Sequence, residues 1–200
     1  ELPAGVASKE GGHASYDAIQ KAVTLAMNHE VDAIVTAPIN KEALHLAGHF
    51  YPGHTELLAD LTETPHVALM LASDAMRVVL TTTHVPVAEV HPLITKERVL
   101  RILTLTHQWL SGLGIAEPHI GVTGLNPHCG DGGIFGHEEE IAILPAVKKA
   151  QEKGWNVSGP FSADAFFGRY QPGQYDAVVT MYHDQGMIPI KMAAQDKAVN

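Results

Sequence analysis

Four short runs are apolar and β-branched at nearly every position: VDAIVT at 31 to 36, RVVLTT at 77 to 82, HIGVTG at 119 to 124 and DAVVTM at 176 to 181. Successive strand side chains point to opposite faces, so such runs predict strands covered on both sides, as in a parallel sheet. HVALML at 66 to 71 predicts a fifth. Between them the apolar period lengthens to that of a helix. Residues 15 to 29 share a face of Ala18, Ala22, Leu25 and Ala26; residues 95 to 110 one of Val99, Ile102, Leu103 and Leu110; residues 138 to 153 one of Ile141, Leu144, Val147 and Ala150. Pro145 inside the last pattern predicts a kink or a late start, because it has no N–H to donate. Gly112, Gly114 and Gly154 stand where helices should stop. Strands alternating with helices predict βαβ crossovers, hence an α/β fold with a mostly parallel sheet and helices on both faces.

In such sheets ligands bind beyond the carboxyl ends of the strands. The residues there are APINK with Asn40 and Lys41, then THVP with His84, LNPHCGDGG with His128, and YHDQG with His183 and Asp184. One histidine after a strand is most often an ordinary loop residue, but three at equivalent strand ends converge on one sheet edge. Three neutral imidazoles leave a divalent ion with open positions for water or substrate. Nitrogen ligands suit zinc, cobalt or nickel, while an added carboxylate such as Asp184 or Asp164 shifts the choice toward manganese or magnesium. The His183 stretch itself reads as a strand running into a polar turn. Lys191, on the apolar run MIPIK, either snorkels to solvent or pairs with an anionic substrate.

In YPGHTELLADL a helix opening at Thr55 and Glu56 would leave free N–H groups for a phosphate or carboxylate, with His54 and Thr55 as side-chain donors; an ordinary capped start explains it equally well. HCGDGGIFGHEEE is neither a dinucleotide fingerprint nor a phosphate loop, and its glycines read as room for the backbone to approach a ligand. Cys129 beside His128 is a weak candidate nucleophile, since neighbours on an extended loop point apart.

Composition narrows the classes. With 46% hydrophobic residues in 200, the chain can bury a core, and 13 Lys+Arg against 22 Asp+Glu, a net charge of -9, argues against nucleic acid or an anionic membrane as partner. A lone cysteine and the lack of a signal-like or long apolar segment predict a cytoplasmic protein. Thirteen histidines make metal or acid–base chemistry worth seeking. The chain opens on Glu1 and stops at DKAVN, which predicts that residues 1 to 200 are a central fragment of a longer subunit.

TAPINKEALHLAG, YPGHTELLA, TTTHVPV, GLNPHCGDGG and MYHDQGMIPIK, in that order along the whole chain, resemble the 4-hydroxythreonine-4-phosphate dehydrogenase family of vitamin B6 biosynthesis. The resemblance implies an isocitrate/isopropylmalate dehydrogenase-like, two-lobed subunit in a homodimer whose active site is shared. It implies NAD-dependent oxidation of 4-phosphooxy-L-threonine at C3, then decarboxylation to 3-amino-2-oxopropyl phosphate, with NADP as the other possible cofactor. It puts the divalent metal (zinc, magnesium, cobalt or manganese) on His84, His128 and His183, and the substrate on His54, Thr55, Lys191 and Asn200. Asp184 and Asp164 are then candidates, with Lys191, for catalysis: orienting ligands or moving the proton. The family's opening segment and its region after Asn200 are absent, which predicts metal and partial substrate binding but poor turnover for these 200 residues alone. NKEALHLAG is closer to the branch acting on 4-phospho-D-threonate or 4-phospho-D-erythronate. A metal-dependent hydrolase on the same histidines, and a fragment that only dimerises or binds ligand, are the rivals from other classes.

Overall fold

The computed structural model describes residues 5–194 and 197–200. The chain divides into two compact units, Glu1–Val67 and Ala68–Asn200. In the first, helix α1 (Lys9–Met27) is capped by Ser8, whose hydroxyl accepts the Gly11 N–H at 3.1 Å. Helix α2 (Lys41–Leu46) is capped by Asn40, which accepts from the Ala43 N–H at 2.9 Å. Helix α3 is His54–Leu61. The stripe that α1 buries is Gly12, Ile19 and Val23 rather than the predicted face of Ala18, Ala22, Leu25 and Ala26. Branched side chains remove more apolar area from water than alanines do, and they set the rotation of the helix. With Leu57 they form this unit's core, flanked by Tyr16, Ile34 and Tyr51.

The strand predicted at 31 to 36 does not form: the segment makes no ladder and Val35 is 97% exposed. A strand needs a neighbour's N–H and C=O groups, and among the described residues every paired strand belongs to the second unit.

There, strands β1 (Met70–Ala72), β2 (Arg77–Leu80), β3 (Ile120–Thr123), β4 (Val157–Phe161) and β5 (Ala177–Thr180) lie in the order β1-β2-β5-β3-β4. Only β1 is antiparallel, so 66 to 71 supplies an edge strand and not a parallel one. The register sets Val79 opposite Val179, Gly121 opposite Val178 and Ile120 opposite Val157. β4 is a strand that the sequence pattern does not predict; Gly159 and Pro160 interrupt its apolar run, and an edge position is where a strand tolerates proline.

Helices α4 (Val87–Leu93), α5 (Lys96–Gly112), α6 (Leu144–Gln151), α7 (Ala163–Gly168) and α8 (His183–Ala194) cover both faces. Val79 and Val179 pack with Val99, Leu103 and Leu110 of α5 and Val147 and Ala150 of α6. Their alternates Val78 and Leu80 pack with Met187 and Ile190 of α8. The stripe predicted for α5 is the buried one. Pro145 does delay its helix: Glu139–Ile143 form a π-helical turn closed by the Leu144 N–H on the Glu139 carbonyl, and α6 starts afterwards. This turns Ile141 outward, 68% exposed, and buries Ile143 instead. Among the described residues no helix is long and apolar enough to cross a membrane.

Candidate functional site

β2, β5 and β3 are neighbours, so the three histidine-bearing segments leave one edge of the sheet. Side chains tie these ends together. The Thr82 hydroxyl donates to the Met181 carbonyl at 2.8 Å. The Gln185 carbonyl oxygen accepts from the Met181 N–H at 2.7 Å and the Thr123 hydroxyl at 2.9 Å, while its amide donates to the Gly124 carbonyl at 2.8 Å. Gln185 therefore fixes the end of β5 to the end of β3. His183-Asp184-Gln185-Gly186 form not the predicted polar turn but the first turn of α8. A Cβ on Gly186 would stand 2.5 Å from Val78 Cγ1 and 2.6 Å from Thr180 Oγ1; its absence lets α8 lie directly on β2 and β5.

The His84 and His183 rings are neighbours, with centroids 5.6 Å apart and planes tilted by 45°. Both line a cavity of about 350 Å³, with Thr83, Tyr182 and Asp184. His183 Nδ1 lies 2.7 Å from Asp184 Oδ1. A carboxylate only accepts, so Nδ1 carries the proton and the Nε2 lone pair is left for a metal, the orientation that ligating histidines usually have. These two imidazoles are donors of the kind a divalent ion takes, and among the described residues no third ligand stands close enough to complete a site.

His128 leaves β3 on a loop with uncommon backbone geometry. His128, Cys129 and Asp131 have φ of 52°, 55° and 44°, a left-handed conformation that costs about 1–2 kcal/mol for each residue with a Cβ. Sequence reasoning missed what holds it. Glu139, 4% exposed, accepts the Leu125 and Asn126 N–H groups on one carboxylate oxygen, each at 2.7 Å, and the Asn126 side-chain amide on the other at 2.9 Å. Glu138, 6% exposed, accepts from the same Asn126 amide and pairs with His91. A Cβ on Gly124 would stand 2.9 Å from Glu139 Oε1, and one on Gly130 3.1 Å from Oε2. Gly124, at the end of β3, and Gly130, in the loop, thus lie close against an internal carboxylate.

Burial raises the Glu138 pKa, but the Asn126 amide, its own backbone N–H and the charges of His91 and His137 outweigh it and hold the carboxyl below its ordinary value. Burial pushes the Cys129 thiol up and Glu139 adds to it, which suits a packing residue and not a nucleophile. Asp164, in the first turn of α7, is held low chiefly by the Ser162 hydroxyl at 2.6 Å, then by the Ala165 N–H, with His128 contributing. Asp164 and Asp184 line a second cavity of about 630 Å³ with Tyr170, Tyr182 and Gln185.

The remaining candidates lie elsewhere. Among the described residues no three His, Cys, Asp or Glu side chains come together closely enough to hold a metal, so His128 does not complete the His84–His183 pair within one chain. Lys191 is exposed in the last turn of α8, about 12 Å along the axis from His183 at 1.5 Å per residue. Asn200 follows Val199, which pairs with Ala72 at 2.7 and 2.8 Å. Ala72 faces Arg77, the first residue of β2, so Asn200 sits where the strands begin, opposite the histidine edge. In the first unit, His54 opens α3 after Gly53, which provides no side-chain cap, and His54 Nε2 is buried without a partner. Thr55 is the next residue of that helix.

The family model described as Pyridoxal phosphate biosynthetic protein PdxA matches residues 1–200. The 4-hydroxythreonine-4-phosphate dehydrogenase of Trichlorobacter lovleyi is 49% identical over 203 residues, covering 100% of this chain and 60% of its own. The D-threonate 4-phosphate dehydrogenase of Cupriavidus necator is 47% identical over 200 residues, with the same coverage of 100% and 60%. The crystal structure of 4-hydroxythreonine-4-phosphate dehydrogenase from Klebsiella pneumoniae superposes with a TM-score of 0.92 at 42% identity, covering 97% of this chain and 60% of that one. Terephthalate 1,2-cis-dihydrodiol dehydrogenase from Burkholderia xenovorans does so with a TM-score of 0.79 at 31% identity, covering 99% and 64%. The chain spans about 60% of the length of these curated relatives.

Proposed function

Because the chain belongs to the family of the pyridoxal phosphate biosynthetic protein PdxA, we propose that it carries the metal-binding part of an NAD-dependent dehydrogenase. Its reaction is oxidation of 4-phosphooxy-L-threonine at C3, with loss of CO₂, to 3-amino-2-oxopropyl phosphate. The observation that carries this reading is the set of histidines after three neighbouring strands, with His84 beside His183 and the latter's Nδ1 against Asp184.

His84, His128 and His183 are the metal ligands. A divalent ion held there would supply polarisation of the substrate hydroxyl, and NAD would supply the hydride acceptor. Asp184 keeps the His183 tautomer, and Asp164, in the first turn of α7, is the proposed acceptor of the hydroxyl proton. His54 and Thr55 bind the substrate phosphate, a role that the uncapped start of α3 favours. Lys191 and Asn200 are the other substrate contacts that the resemblance implies, although Asn200 lies away from the histidine edge of its own chain. The reading takes the active site to be shared between the two subunits of a homodimer.

A second reading keeps the chemistry and changes the substrate to 4-phospho-D-threonate or 4-phospho-D-erythronate. The similar identities to relatives named for each activity, 49% and 47%, favour neither. The test is NADH absorbance from the full-length subunit, of which these residues match about 60%, with each phosphorylated acid and a divalent metal. Turnover on one of them supports the dehydrogenase. Inactivity on all refutes it, and product release without NAD points to a metal-dependent hydrolase.

A further inference from the structure

We propose that Glu139 is the positioning residue for His128: a buried carboxylate around which the loop after β3 is wound, so that the imidazole is presented at the sheet edge. The inference rests on the reading of His128 as a metal ligand. Its basis is the directness of the connection. Asn126, two residues before His128, gives both its backbone and its side-chain N–H groups to Glu139, and Leu125 gives a third. Consecutive residues of a helix point about 100° apart, yet Glu138 also reaches Asn126, so two neighbouring carboxylates hold one amide. A Cβ on Gly124 would meet Cys129 Sγ at 2.8 Å and Glu139 Oε1 at 2.9 Å, and one on Gly130 the Gly136 carbonyl at 2.7 Å and Glu139 Oε2 at 3.1 Å, so the loop backbone lies close against the carboxylate.

From the other direction, Gln185 holds the Gly124 carbonyl. Beyond Asn126 the chain enters a run in which His128 and Cys129 are both left-handed, a conformation that persists only where its surroundings over-determine it. The imidazole itself is exposed and makes no hydrogen bond among the described residues. Its position is therefore inherited from the anchored residues before it. The glycines and the adjacent glutamates are parts of one device, in which the loop has its own buried carboxylate as a template.

The test uses Co²⁺ as probe in the full chain, read by calorimetry and by the visible d–d spectrum, with thermal melting as the check on folding. Glu139→Ala leaves the Leu125 and Asn126 N–H groups without their acceptor. Its Co²⁺ affinity falls about 10- to 100-fold, the usual loss when a partner orienting a ligand is removed, and the spectrum changes with the altered ligand geometry. Glu139→Gln keeps an oxygen for the two backbone N–H groups but meets the Asn126 amide donor to donor, so it weakens Co²⁺ by less than Glu139→Ala does, towards the lower end of the same range of about 10- to 100-fold. Should Glu139→Ala fail to fold, Glu139→Gln decides alone. Glu139 variants with parental affinity and spectrum, alongside a His128→Ala variant that loses Co²⁺, overturn the role of Glu139 only. A His128→Ala variant that binds Co²⁺ as the parent does overturns the metal reading, and this inference with it.

Discussion

Gly186→Ala tests how the histidine edge is built, because one methyl group is asked to enter the contact between α8 and the sheet. The new Cβ would meet Val78 Cγ1 at 2.5 Å, Thr180 Oγ1 at 2.6 Å and Leu80 Cδ2 at 2.9 Å. Opening the first separation to the 3.4 Å of ordinary contact requires about 0.9 Å of movement. Val78 and Leu80 are 0% and 1% exposed and sit on central strands, so the helix is the part that moves. Overpacking a core in this way costs about 1–3 kcal/mol. Replacing glycine by alanine inside a helix returns about 0.8–1 kcal/mol. The clash involves three buried groups at once, so the upper half of the cost applies and a net loss of about 1–2 kcal/mol is expected. At about 2–4 °C per kcal/mol for a chain of this size, Tm falls by about 2–8 °C in a thermal melt. Because α8 carries His183 and Gln185, Co²⁺ binding weakens in the same variant. A Gly186→Ala protein as stable as the parent, or more so, refutes the close packing of α8 on β2 and β5.

Two titratable groups give further expected outcomes. The folded-state pKa of Glu138 is depressed, so its ionised form stabilises the protein above its ordinary value of 4.5, and that stability is lost as pH falls through the lowered value; Glu138→Gln flattens this acid limb in pH-dependent denaturation, and an unchanged limb contradicts the assignment. The Tyr51 phenol donates to Asp60 at 2.5 Å and is pushed up to about 12, chiefly by that hydrogen bond and then by burial and the Asp60 charge. Asp60→Asn brings the phenolate transition, monitored by ultraviolet absorbance, back toward the ordinary value of 10.0; a transition that stays high means that the hydrogen bond is not its cause.

The sheet and its histidine edge were legible because each depends on short-range pattern. RVVLTT, HIGVTG and DAVVTM are apolar throughout, and the neighbouring placement of their strands brings His84, His128 and His183 to one side. The misreadings have equally physical sources. VDAIVT carries the same pattern but has no partner strand in its own unit, and propensity without a ladder makes no strand. α8 looked like a turn because it contains Gly186 and Pro189, two residues a helix interior disfavours; packing against Val78 and Leu80 overrides that preference. Glu139 and Gln185 escaped notice because their partners lie 13 and 61 residues away in sequence. Two acids at a helix start read as ordinary dipole partners, and only the fold shows a loop wrapped around one of them.

The proposed chemistry depends most on the three strand-end histidines forming one metal site. The most direct measurement is a crystal structure of the full chain loaded with zinc, with the ion located by anomalous scattering. The expected result is a single ion bonded to imidazole nitrogens of His84, His128 and His183, drawn from two copies of the chain, at distances of about 2.0–2.1 Å. An ion bound by other residues, or three imidazoles that do not meet in any combination of copies, contradicts it.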